Sequence, residues 1–375
     1  MKKEKTSLRV KRSNPIKILI LILITLVICG FLFKDWIATP PARNDNSETK
    51  PTIKIGAILP LTGGMASLGI AGNNGAILAI EKLNTNPANK YRYELISDDT
   101  ATDAKRAAPI YKKMAGIDKV SAIISFDSQA GHVIKPMASQ DKILHISSAA
   151  DNTIADGEYN FINSSDLNDS IAKLLQYFNK MGYKKIALAG VNYTATQKVI
   201  KTLKEQIENT DFEIVAEELV SSVERQFQQE ILKVVQSNPD VVFLYGFEPV
   251  TSIYAKGLKN AGYKGAVSGV YTLSYSEYPE LLNEAVYLDY GIGSDEFKQE
   301  YLNRFNLEPN AASTVMFDSV GIIANLHEAN TNKISDVLKT YTGPNGKFIL
   351  KDNGLIHMDL VFVKMTNGKP IIVEE

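Results

Sequence analysis

From residue 53 onward, short runs of β-branched and aliphatic residues alternate with longer stretches whose apolar positions recur every third or fourth residue. Ile53–Leu59, Tyr91–Ile96, Val120–Ile124 and Ile143–Ile146 read as strands. Leu68–Leu83, Asp103–Ala115 and Gln129–Ala138 between them read as helices. Strand and helix alternating in this way predicts βαβ winding, hence a parallel sheet covered on both faces. After a polar stretch around Asn163–Asp169 the rhythm restarts. Helices are predicted over 171–181, 199–207, 227–235 and 250–261, and strands over 186–189, 212–219, 241–245 and 266–270. Two more helices come at 294–305 and 312–328, then a strand-rich end with runs at 348–350, 355–363 and 371–373.

The expected fold is therefore α/β, two doubly wound, Rossmann-like lobes joined by a hinge, because a chain of this length exceeds what one core holds. Lobe 1 is expected over 51–165, completed by about 291–340, and lobe 2 over 166–290, completed by about 341–375. Two such lobes create a cleft, and open parallel sheets bind ligands beyond the carboxyl ends of their strands.

The N-terminus differs in kind. A basic segment, 1–17, precedes the apolar run Ile18–Phe33, which Lys34 and Asp35 close; Trp36 and Ile37 lengthen it toward the roughly 20 residues that span a bilayer. The charge order places the start of the chain in the cytoplasm and sends the remainder outward. Residues 18–37 thus read as a transmembrane signal anchor, as a cleaved signal peptide, or as a lipoprotein signal ending at Cys29. Against the last, bulky Ile28 stands where a small residue belongs. Against cleavage, Trp36 lies just before Ala38. Residues 38–50, rich in proline and polar side chains, read as a tether.

Composition narrows the chemistry. The one cysteine is Cys29, so nothing beyond residue 50 forms a disulfide or a thiol site. The net charge is −1, and most of the basic excess sits in 1–17, so the exported part is acidic and unsuited to nucleic acid. None of His132, His145, His327 and His357 has the spacing of a zinc site, and no nucleophile elbow or phosphate-binding glycine loop is present. No metal, cofactor or enzymatic activity is expected. Asp98-Asp99 reads as a strand end and helix cap.

What the strand ends carry is hydroxyls, small residues and aromatics: Ser125-Phe126-Asp127-Ser128, Ser147-Ser148-Ala149-Ala150-Asp151, Asn192-Tyr193-Thr194, Gly246-Phe247-Glu248 and Tyr271-Thr272. One such cluster is an ordinary cap and turn, but five at corresponding strand ends converge only on a cleft.

Residues 51–375 resemble the type I periplasmic binding proteins of ABC importers, in the leucine/isoleucine/valine-binding group. The marks are Ile55-Gly56-Ala57-Ile58-Leu59-Pro60-Leu61-Thr62-Gly63, the glycine-rich start at Gly69–Gly75, Ala79-Ile80-Glu81-Lys82-Leu83-Asn84, Leu95-Ile96-Ser97-Asp98-Asp99, Ile143–Asp151, Tyr183-Lys184-Lys185-Ile186-Ala187 and Phe317-Asp318-Ser319-Val320. The resemblance implies that Ser128, Ala149 and Asp151 hold the ligand's carboxylate and ammonium, with Asp151 replacing a threonine. It places the second-lobe acid that clamps the ammonium at Tyr271, so that contact is missing, and Glu248 beside the aromatic Phe247 is the candidate to compensate. Tyr193 and Phe247 supply the aromatic side of the second lobe. The implied function is capture of a small amino-acid-like ligand (branched-chain or other amino acid, amide or short carboxylate) and its delivery to ABC permease subunits, by a monomer on the outer face of the membrane. If the signal is cleaved, the protein is periplasmic or secreted. The alternative is a ligand-sensing ectodomain that signals through a membrane partner.

Overall fold

The computed structural model describes residues 50–373, which form one compact unit. The predicted anchor, 18–37, lies outside the described residues; among them no helix is long and apolar enough to cross a membrane. The chain begins with β1 (Thr52–Leu59), α1 (Ala66–Thr85), β2 (Arg92–Asp99), α2 (Ala107–Lys113), β3 (Ala122–Phe126), α3 (Ser128–Asp141), β4 (Leu144–Ser148) and β5 (Asn160–Ser164). It continues with α4 (Leu167–Lys180), β6 (Lys185–Val191), α5 (Thr194–Ile207), β7 (Glu213–Val220), α6 (Gln228–Gln236), β8 (Val241–Tyr245), α7 (Val250–Asn260), β9 (Ala266–Ser268) and β10 (Val286–Asp289). It closes with α8 (Asp295–Phe305), α9 (Ala311–Glu328), α10 (Ile334–Leu338), β11 (Ile349–Leu350), β12 (Leu355–His357), β13 (Val361–Thr366) and β14 (Lys369–Val373).

A seven-stranded sheet runs β11-β12-β5-β4-β3-β1-β2, parallel except for the β11–β12 pair. Side chains of β1 point alternately to its two faces, as a strand's period of two requires. Ile55, Ala57 and Leu59 join the core shared with α1 and α9, while Ile58 joins the core under α2 and α3. Helices α1 and α9 pack so closely that a Cβ at Gly75 would overlap the Ser313 carbonyl oxygen. A second, parallel sheet runs β7-β6-β8-β9, and an antiparallel group β10-β13-β14 continues beside it through a bridge between Val270 and Leu288.

The chain crosses between the two sheet systems three times: after β5, after β10, and between β12 and β13. The last crossing corrects two sequence expectations. The run 355–363 is not one strand: β12 pairs with β5 of the first sheet and β13 with β10 of the second, with Met358–Leu360 between them. Residues 349–357 accordingly complete the first sheet, so the segment expected from 341 onward to finish lobe 2 begins to do so only at Val361.

Two further differences have local causes. The helix expected over 103–115 is interrupted, starting as a 3-10 turn at Ala104–Arg106 that Asp103 caps and ending in a wider π turn at Met114–Asp118. Strand β5, Asn160-Phe161-Ile162-Asn163-Ser164, is not among the predicted strands and runs into the stretch that reads as polar from Asn163, yet it is wholly buried. Its polar side chains find partners inside: Asn163 Nδ2 donates to the Val315 carbonyl at 3.0 Å and to Ser319 Oγ at 3.0 Å, although Asn163 Oδ1 is buried without a hydrogen bond. Each hydrogen bond made inside offsets part of the cost of burying the amide.

Candidate functional site

The carboxyl ends of β3, β4, β6 and β8 open onto one cavity, of about 70 Å³. The first lobe contributes Phe126, Asp127 and Ser128 at the end of β3, Ser148-Ala149-Ala150 at the end of β4, Met65 and Leu68 at the start of α1, and Ala312 and Val315 from α9. The second contributes Tyr193 and Ala195, Tyr245, Tyr271, Thr272 and Tyr275, with Tyr290 just past β10. Apolar and aromatic surface dominates, with a few polar groups set into it, the usual make-up of a small-molecule site.

The structure thus brings Ser128, Ala149, Tyr193 and Tyr271 of the sequence candidates to one cavity and leaves Asp151, Phe247 and Glu248 outside its lining. Asp151 is committed elsewhere: its carboxylate caps the 3-10 turn at Asn152–Ile154 through the Thr153 N–H and hydroxyl, and lies 2.9 Å from His132 Nε2. Those bonds hold its pKa below the ordinary value against the opposing effect of burial. Its backbone N–H donates to Ser128 Oγ at 3.3 Å, so it steadies the site from behind. Phe247 stands against Tyr193 edge-to-face, ring centroids 5.4 Å apart, and backs the cavity wall. Glu248 is buried; one oxygen accepts from Ser252 Oγ at 2.6 Å, Ser276 Oγ at 2.9 Å and the Glu277 N–H at 3.1 Å. It ties the loop before α7 to the loop that carries Tyr275.

Sequence reasoning missed the most polar member of the lining. Asp127 is the N-cap of α3, its carboxylate accepting from the Ala130 N–H at 2.9 Å, while its own N–H donates to the Ser148 carbonyl at 3.0 Å. Its φ of 84° is in the left-handed region, as is that of Tyr271 at 65°. Such backbone is strained for non-glycine residues and gathers at functional sites. Burial raises the Asp127 pKa to about 6 despite the helix N–H groups that favour its charge. The Tyr193 hydroxyl faces it without completing a hydrogen bond, and burial and that carboxylate both raise the tyrosine's pKa.

The aromatic wall was also only partly legible. Tyr271 and Tyr290 stack with centroids 5.4 Å apart at 20°. Their hydroxyls turn away to the crossing after β5: Tyr290 Oη bonds Ser164 Oγ at 2.5 Å, and Tyr271 Oη bonds Ser165 Oγ at 2.8 Å and Ser170 Oγ at 3.1 Å. The cavity therefore meets two rings whose hydroxyls are anchored in the segment that follows β5. Across the mouth, Gln129 Nε2 of the first lobe donates to Thr194 Oγ1 of the second at 2.9 Å.

One buried row has the residue types of a nucleophile and its base. Ser125 Oγ lies 2.8 Å from His145 Nε2, and His145 Nδ1 lies 2.9 Å from Asn160 Oδ1. Ser125 and His145 are fully buried and outside the cavity lining, and burial pulls the imidazole down to about 4, so the ring is neutral. The row links β3, β4 and β5 beneath the binding loops; it touches no space a substrate enters. Among the described residues no cluster of His, Cys, Asp and Glu is arranged to hold a metal ion.

The sequence profile of the periplasmic binding protein family matches residues 52–369. No curated protein sequence matches the chain. Among solved structures, the branched-chain amino acid transporter substrate binding protein LivJ from Streptococcus pneumoniae, in complex with isoleucine, is similar at 21% identity and TM-score 0.77, over 86% of this chain and 99% of that one. The leucine binding protein LivK from Thermotoga maritima is similar at 19% identity and TM-score 0.72, over 86% and 98%. An ABC transporter solute binding protein from R. palustris, in complex with benzoate, is similar at 15% identity and TM-score 0.76, over 86% and 95%. At these identities the structures share the fold. With that fold, the cavity between its sheets and the profile spanning most of its length, the chain belongs to the type I periplasmic binding proteins, in the leucine/isoleucine/valine-binding-like family.

Proposed function

We propose that this protein is an extracytoplasmic solute-binding receptor that encloses a small amino-acid-like ligand between its lobes and delivers it to an ABC permease. The observation that carries the reading is the cavity at the carboxyl ends of both sheets, lined from both lobes and walled by tyrosines. Ser128, the Ser148 hydroxyl and the amides of Ala149 and Ala150 offer donors to a ligand carboxylate, while the rings of Tyr245, Tyr271 and Tyr290 receive its body. The three crossings act as the hinge, and closure brings Tyr193 and Thr194 toward α3. In this reading the receptor works as a monomer, with 18–37 holding it at the outer face of the membrane through the 38–50 tether.

The fold by itself leaves the ligand class open, since the similar structures hold isoleucine in one case and benzoate in another. A thermal-shift screen of the purified protein against the twenty amino acids, their amides and short carboxylates tests the receptor reading. A ligand at about 100 times its Kd stabilises the folded state by about 2.7 kcal/mol and moves the midpoint up accordingly. No shift with any of these compounds would overturn the reading.

A further inference from the structure

The charge of the cavity restricts what it can hold. Its lining includes no lysine, arginine or histidine, and its one carboxyl is Asp127, 6% exposed and set at the floor where β3 meets α3. An anionic ligand would bring a second negative charge into an enclosed apolar space already holding a carboxylate, with no cation to offset either. A ligand bearing a protonated amine would supply the missing positive charge. The aromatic lining favours the same sign: Tyr193, Tyr245, Tyr271, Tyr275 and Tyr290 border the space, and an aromatic ring attracts an ammonium that approaches its face once water is excluded.

The position of the carboxyl is held rather than incidental. The strained backbone at φ 84° is pinned on one side by the bond to the Ser148 carbonyl and on the other by the cap on α3. An unstrained cap could be built from Asp, Asn or Ser with ordinary dihedrals. Strain retained here keeps the side chain at the cavity.

We propose that Asp127 is the counter-ion of an amine on the ligand, a first-lobe carboxylate doing at the β3–α3 junction what a second-lobe acid at the Tyr271 position would otherwise do. The proposal rests on the solute-binding reading above and names its ligand class: small molecules with a protonated amine and an apolar or aromatic body, zwitterionic amino acids included.

Isothermal titration with matched triplets tests it: leucine, 3-methylbutylamine and 4-methylpentanoate; phenylalanine, 2-phenylethylamine and 3-phenylpropanoate. The expected result is binding of an amine-bearing member of a triplet, with the matching acid weaker by at least about 30-fold, the smallest loss usual when one partner of a buried charge pair is removed. In Asp127→Asn that amine-bearing ligand should weaken by a similar factor. Asparagine caps helices as well as aspartate and tolerates positive φ, so the variant keeps the fold, which the ligand-free unfolding midpoint verifies. Acids binding as tightly as their amines, or unchanged amine affinity in the variant, would overturn the counter-ion role while leaving the receptor intact. The wild-type series decides the question even if the variant is unstable. Silence from all six, together with a flat thermal screen, would remove the receptor reading itself.

Discussion

Asp289, the last residue of β10, is fully buried immediately before Tyr290 of the cavity wall. One carboxylate oxygen accepts from the Tyr290 N–H at 2.8 Å and the other contacts Ser274 Oγ; no basic side chain contributes to its environment. Burial therefore dominates and lifts its pKa from the ordinary 3.8 to about 7. The folded state thus holds a proton that the unfolded chain has already released, so stability falls as pH rises from about 4 to about 7. The interval from 3.8 to about 7, at about 1.4 kcal/mol per pH unit, amounts to about 4 kcal/mol. Asp289→Asn keeps the acceptor for Tyr290 and offers Ser274 a donor, but never ionises. Relative to wild type it should gain about 4 kcal/mol between pH 4 and pH 8, or about 6 °C of midpoint for a chain of this size. The assay is thermal unfolding of both proteins across that range without ligand. Every other titrating group contributes equally to the two curves, so their divergence isolates this carboxyl. Parallel curves would refute the reasoning and mean that Asp289 is charged and compensated in the folded protein.

Two other outcomes are expected from contacts between elements. Gln129→Ala removes the bond that links the lobes across the cleft mouth, at 2.9 Å to Thr194; ligand affinity should fall about two- to fivefold, the worth of one exposed neutral hydrogen bond, with the ligand-free midpoint almost unmoved. Equal affinity by calorimetry would show that the bond plays no part in closure. Gly75→Ala drives a methyl into the Ser313 backbone where α1 meets α9. Backbone overlap cannot be relieved by a rotamer change, so urea unfolding should show a loss of about 1–3 kcal/mol although alanine is the better helix former; a variant as stable as wild type would show that the helices can separate freely.

The order of elements was legible because period-two and period-3.6 apolar patterns are local properties of the chain, and most strands and helices of both sheets lie within a few residues of where those patterns place them. So was the meeting of the strand-end loops at one cavity, since such loops of a doubly wound sheet converge whatever their sequence. What periodicity could not supply was pairing. Strand β5 is polar in composition, and only the partners it meets on α9 and in the His145 row make it a buried strand. The run 355–363 reads as continuous, yet three residues within it carry the chain from one lobe to the other. The side chains that line the cavity were decided the same way. Asp151 looks like a free carboxylate in sequence and is consumed by a local cap; Glu248 has one oxygen taken by hydroxyls and an N–H and the other buried without a hydrogen bond, whereas Asp127 looks like a cap and also lines the cavity. Local pattern determines which residues form an element. Which of their polar groups remain unspent depends on neighbours far apart in the chain, and those only the tertiary structure brings together.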